Sequence, residues 1–122
     1  MFRVSVCYDH PNDPPVFDEH YATVHLPLVR KIPGLVDFTA GRCHSLAPGR
    51  PAKYYMVAQL NFASAEDLAT ALNSPEMVAT AADLTHFASA GVTTYWSEDL
   101  VPGRRLPADE NSTIEGKEIA CQ

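Results

Sequence analysis

Residues Phe2–Tyr8 alternate, with Phe2, Val4, Val6 and Tyr8 on one side and Arg3, Ser5 and Cys7 on the other. A period of two predicts a strand. His10–Pro15 (HPNDPP) carries three prolines and reads as a loop. The pattern then shifts to a helical period. At about 100° per residue, Phe17, Tyr21, Val24 and Leu28 fall within roughly 60° of one another. This predicts an amphipathic helix that starts at Asp18 or a nearby loop residue and stops at Ile32-Pro33-Gly34. Leu35–His44 reads as a second strand and Ser45–Ala52 as a turn-rich loop. In Lys53–Phe62, a third strand, Tyr54, Met56, Ala58, Leu60 and Phe62 share one face, and Tyr55, Val57, Gln59 and Asn61 the other. Ser64 is placed to cap a second helix, with Glu66 and Asp67 in its first turn and Leu68, Ala71 and Leu72 as its apolar side. Ser74-Pro75 restarts a helix, with the stripe Met77, Ala81 and Leu84. Gly91–Glu98 is the fourth strand.

The order β-α-β-β-α-β predicts an α+β, ferredoxin-like fold, with one antiparallel four-stranded sheet and helices on one face. Residues 1–100 form the expected domain. Residues 101–122 are polar and aperiodic, and read as a tail or arm. The uncovered sheet face is expected to carry Val57, Val92 and Trp96, too much apolar surface to stay wet. A second copy of the chain covering it would give a dimeric α+β barrel.

Composition narrows the function. The formal net charge of −6, with no basic cluster beyond Arg104–Arg105, argues against nucleic acid and anionic membrane surfaces. No run approaches the length of a membrane span, and a cytoplasmic protein is expected. The three cysteines, Cys7, Cys43 and Cys121, lack CxxC spacing and read as reduced thiols.

His25 stands out. It lies about 60° from the centre of the helix stripe and one turn after Tyr21, so the two side chains are within reach. Pro27 removes a helical hydrogen bond just beyond it and should loosen or kink the helix there. An odd proline beside a half-buried histidine breaks two local rules, and such breaks mark functional sites. His44 and His86 read as surface residues, and His10 and His20 have no recognisable partner. His20 and His25 are about 140° apart on a regular helix and should point to different sides. No metal set is expected. Asp83 reads as a helix-end residue with local hydrogen bonds. There is no GxGxxG, hence no nucleotide site, and no cofactor is expected.

Phe17…Tyr21…His25-Leu26-Pro27-Leu28, then Ile32-Pro33-Gly34-Leu35, Tyr55-Met56-Val57-Ala58, Phe62-Ala63-Ser64, Ser74-Pro75-Glu76 and Ala82-Asp83-Leu84…Phe87, together resemble the EthD-like family of the dimeric α+β barrel superfamily. The resemblance covers roughly residues 1–100. One departure is His20, where relatives often carry an aromatic residue. The resemblance implies the fold more firmly than a reaction. Members are often labelled oxidoreductases by association with ether degradation. Relatives look like cofactor-free decarboxylases, dehydratases or cyclases, and cousins include lactone isomerases and quinone-forming monooxygenases. Fold does not settle function.

A barrel of this kind implies a mostly apolar cavity for a small hydrophobic or aromatic ligand. His25 and Tyr21 are then the expected catalytic pair, exchanging a proton and stabilising a developing oxyanion. Tyr55, Trp96, Cys7 and Gln59 are the expected ligand-binding residues. The leading expectation is acid–base chemistry on a carbonyl or phenolic metabolite by a homodimer. The alternatives are a non-catalytic carrier serving a partner oxygenase, and an assembly module that uses the tail.

Overall fold

The computed structural model describes residues 1–101. The expected tail from Pro102 onward lies outside them. The elements are β1 (Phe2–Tyr8), α1 (Pro14–His20), a π-turn (Tyr21–His25), α2 (Leu26–Val29), β2 (Leu35–Arg42), β3 (Met56–Phe62), α3 (Ala65–Leu72), α4 (Pro75–Phe87) and β4 (Val92–Glu98). The strands form one sheet in the order β2-β3-β1-β4, antiparallel at every junction. This is the ferredoxin-like α+β arrangement expected from the element order.

The helices begin where side chains can satisfy free backbone N–H groups. Ser64 accepts from the Asp67 N–H at 3.0 Å, and Ser74 from that of Met77 at 3.1 Å. Asp13 caps α1, four residues before its first buried residue, Phe17. The helix therefore starts earlier than Asp18. Pro14 and Pro15 occupy first-turn positions, where a missing N–H costs nothing.

The first helical segment departs from regular winding. The Leu26 N–H donates to the Tyr21 carbonyl, five residues back, and Pro27 opens α2. The wider turn places the residue without an N–H where none is needed. It also re-phases the helix. Phe17, Tyr21, His25 and Val29 are buried, whereas Val24, expected in the apolar stripe, is exposed. His25 thus sits in the middle of the buried face and not at its edge.

Two apolar clusters join the helices to one sheet face. Tyr8, Phe17, Tyr21, Tyr55, Met56, Ala58 and Phe87 form one. Val29, Ile32, Leu60, Phe62, Leu68 and Ala71 form the other. Register fixes which β4 residues face the helices. Val92, Thr94 and Trp96 lie opposite Tyr8, Val6 and Val4, so they share the helix side. This corrects the expectation that Val92 and Trp96 face outward. The open face instead carries Ser5, Cys7, Val57, Gln59, Thr93 and Tyr95. The alternation in GVTTYWSE is equally compatible with either orientation; pairing with β1 decides it.

Gly91, just before β4, has φ +122°, and a Cβ there would sit 2.7 Å from an Asp9 carboxylate oxygen. Gly91→Ala is expected to destabilise the domain by more than about 1 kcal/mol, read from a denaturant midpoint.

Candidate active site

Between the sheet and the helices lies a cavity of about 260 Å³. Val4, Val6, Ala58 and Leu60 form its sheet-side floor, and Val29, Leu72, Met77, Ala81 and Leu84 its helical walls. The polar side chains on it are few: Tyr8, Tyr21, His25, Thr80 and Thr94. The Thr80 hydroxyl donates to the Glu76 carbonyl, 2.8 Å away. The groups that can exchange protons with a bound molecule therefore gather at one end, on Tyr8, Tyr21 and His25.

His25 is 3% exposed and held from both sides. Its Nδ1 lies 2.9 Å from Asp83 Oδ2, and its Nε2 lies 3.5 Å from the Tyr8 hydroxyl. Its ring packs against Phe87 at 4.8 Å and Tyr21 at 5.3 Å between centroids. Asp83 comes from the middle of α4 and is 6% exposed. Its other oxygen, Oδ1, accepts from His20 Nε2 at 2.9 Å. A carboxylate only accepts, so the hydrogen on His25 belongs on Nδ1 and the Nε2 lone pair is left toward Tyr8 and the cavity.

Burial lowers the His25 pKa below its ordinary value of 6.5, against the opposing pull of Asp83. For Asp83, burial disfavours the charge, but the hydrogen bonds from His20 and His25 outweigh it, and its pKa falls below 3.8. Burial raises the Tyr8 pKa and pushes that of Tyr21 up to about 12. At neutral pH the site therefore holds a neutral imidazole, an anionic carboxylate and two neutral phenols. This is the state in which an imidazole works as a base and a phenol as a hydrogen-bond donor.

These shifts have a sign in stability. Below pH 6.5 an unfolded chain protonates a histidine that the fold keeps neutral, so His25 costs the folded state nothing above 6.5 and disfavours it increasingly as pH falls toward its lowered value. Asp83 acts in the same direction only below 3.8. The melting temperature is expected to drop on acidification below pH 6.5, with a shallower slope in His25→Gln, as measured by calorimetry across that range.

Of the expected site residues, the structure brings His25 and Tyr21 to the cavity. The others lie elsewhere. Tyr55 donates its hydroxyl to Asp18 at 2.8 Å beneath the Arg42 guanidinium, beside a separate open groove that Tyr21 also borders. Cys7 and Gln59 are on the open sheet face, and Trp96, 54% exposed, is on the edge strand β4 opposite Val4. Asp83, Tyr8 and His20 join the site without having been expected there. Asp83 is no helix-end residue with local bonds; it spans to the first helix. Nor do His20 and His25 diverge, because the π-turn brings residues five apart onto one side. The available signal was Asp83 itself, a carboxylate on the buried Thr80–Asp83–Phe87 face of α4. Among the described residues, no three His, Cys, Asp or Glu side chains are grouped to hold a metal ion, and no helix is long and apolar enough to cross a membrane.

A family model described as the EthD domain matches residues 10–91. An uncharacterized 11.0 kDa protein in the thcB-thcC intergenic region of Rhodococcus erythropolis is 46% identical over 99 residues, covering 81% of this chain and 95% of that protein. Among solved structures, an EthD-family protein from Bacillus halodurans C-125 superposes with TM-score 0.75 at 33% identity, over 82% of this chain and 99% of the other. Two further neighbours share the fold. A dimeric ferredoxin-like protein of unknown function from Thermobifida fusca YX has TM-score 0.59 at 18% identity, over 79% and 88% of the two chains. SnoaB, a cofactor-independent oxygenase from Streptomyces nogalater, has TM-score 0.58 at 19% identity, over 88% and 96%.

Proposed function

The chain belongs to the EthD-domain family, and from that premise we propose that it is a small-molecule enzyme working by acid–base chemistry at His25. The observation that carries this reading is the buried His25–Asp83 pair on the wall of an otherwise apolar cavity. In it, Asp83 fixes the His25 tautomer and supports the imidazolium that forms when Nε2 takes a proton. Tyr8 and Tyr21 donate hydrogen bonds to the oxygen on which charge develops.

The cavity selects the substrate class. A volume of about 260 Å³ lies below the range of drug-sized sites, so it suits a compact molecule. Apolar walls with donors at one end favour a hydrophobic or aromatic body bearing one carbonyl or phenolic oxygen. Isomerisation, cyclisation and decarboxylation of such a molecule need only proton transfer and oxyanion stabilisation. A cofactor-independent oxygenase on the same fold is compatible with this chemistry. A homodimer that covers the open sheet face belongs to the same reading; Tyr95, 54% exposed there, and the dimeric neighbour support it. So does action in the cytoplasm, where the free thiols Cys7 and Cys43 stay reduced.

The test is a thermal-shift panel of phenols, quinones, lactones and aromatic carboxylates on wild type and His25→Gln, with product analysis of every hit. A ligand at 100 times its dissociation constant stabilises the fold by about 2.7 kcal/mol, or roughly 10 °C or more for a domain of this size. A ligand that wild type converts and His25→Gln only binds is the expected result. A ligand bound equally by both and converted by neither overturns the enzyme reading in favour of a carrier.

A further inference from the structure

We infer that His20 is a positioning residue, which sets the basicity and aim of His25 through their shared carboxylate, Asp83. The inference rests on reading His25 as the base of the cavity. Its geometry is independent of any ligand. His20 Nε2 lies 2.9 Å from Oδ1 and 3.1 Å from Oδ2 of Asp83, while His25 Nδ1 lies 2.9 Å from Oδ2. Among the described residues, these two imidazoles are the only side chains that bond the carboxylate. Each takes one oxygen as its closest partner. Without His20, Oδ1 would be a buried acceptor with nothing to accept, a costly state for a polar group.

Three features place His20 for this role. Its ring stacks on Phe87, with centroids 4.9 Å apart and planes at 18°. Phe87 also packs against His25, so one aromatic ring braces both imidazoles. The π-turn that begins at Tyr21 brings His20 and His25 to the same carboxylate across five residues. Finally, His20 is buried less than its partners and lines a surface groove with Asp13 and His86, so solvent reaches one end of the chain while His25 stays dry at the other.

The electrostatic consequence has a definite direction. A hydrogen bond from His20 draws part of the carboxylate's charge away from His25, which keeps the Nε2 lone pair a moderate base. Removing that donor concentrates the charge on the Nδ1–H and makes His25 more basic. The other titratable groups in view of His25 are Tyr8 and Tyr21, which stay unchanged; His86 and Asp13 face only the groove.

The test is a titration of the ¹⁵N-labelled histidines by NMR, with no ligand needed. His20→Phe keeps the stacking ring and deletes the donor; His20→Gln keeps a donor. In His20→Phe the His25 pKa is expected to rise by about one unit, a tenfold gain in proton affinity. In His20→Gln it is expected to stay near wild type. An unmoved His25 in His20→Phe, or an equal rise in both variants, overturns the inference. The wild-type chain supplies a check without substitution: protonating His20 must shift the His25 Nδ1–H resonance, and no response overturns the inference as well. The two readings fail separately. A His25 shift, with a ligand that wild type and His25→Gln bind equally and neither converts, leaves the positioning role standing and removes the catalytic one. A converted ligand with no His25 shift does the reverse.

Discussion

Asp83→Asn is expected to lower turnover at the cavity by about 10²–10⁴-fold, the range assigned to a positioned acid–base group. Both imidazoles donate to Asp83, one to each oxygen. Asparagine offers one acceptor oxygen and an NH₂ that only donates, so the two positions nearest the imidazoles can no longer both be acceptors. If its oxygen stays with His20, its NH₂ faces His25 Nδ1, which must then give up its hydrogen. The hydrogen moves to Nε2, and the lone pair that faced the cavity is lost. If the amide turns the other way, His25 keeps its tautomer but loses the negative charge that supports its imidazolium. Either outcome slows the step in which His25 takes a proton. The loss is expected in kcat, with little change in KM, because Asp83 does not line the cavity. The ¹⁵N shifts of His25 report the tautomer directly. A variant that keeps wild-type turnover would remove Asp83 from the mechanism.

The largest effect on stability is expected at the other end of the sheet. Phe62 is fully buried and lies across from Phe2 on one side and Leu35 on the other. It packs in the cluster of Val29, Ile32, Leu60, Leu68 and Ala71, which ties the end of the His25-bearing helix to β3 and α3. Phe62→Ala removes the ring and leaves a hole that the neighbouring elements cannot close, at a cost of about 3–5 kcal/mol. At about 4–8 °C per kcal/mol the melting temperature falls by roughly 12 °C or more. Domains of this kind have about 5–15 kcal/mol in total, so the variant sits near the edge of folding. Calorimetry checks it. Because Phe62 does not line the cavity, the His25 pKa of the folded fraction is expected to stay at its wild-type value.

What could be read from the sequence was what depends on near neighbours. The alternation of Phe2–Tyr8, the serine cap at 64 and the helix restart at Ser74-Pro75 are written within a few residues, and each stands as expected. Tyr21 and His25 were legible as a pair for the same reason. The rest depended on geometry that a fixed period does not contain. Treating residues 17–35 as a uniform helix placed Val24 inward and set His20 apart from His25; one wide turn reverses both. Pro27 announced a break but not its kind. Asp83 is 58 positions from His25, and only the packing of α4 on the first helix joins them. Trp96 had two equivalent faces until β1 pairing chose one.

The wide turn at Tyr21–His25 also bears on how such a domain changes over time. An α-helix with one residue too many is one codon away from an ordinary one. Deleting a single residue from the exposed stretch Ala22–Val24 restores regular winding and leaves the strands, the caps and both apolar clusters in place. It also leaves His20 and His25 four apart, about 40° on a regular helix, so both imidazoles still face one carboxylate. The wide turn is therefore an insertion that the helix absorbs without changing which residues it buries. One residue gained or lost at this point leaves both the buried face and the paired imidazoles where they are.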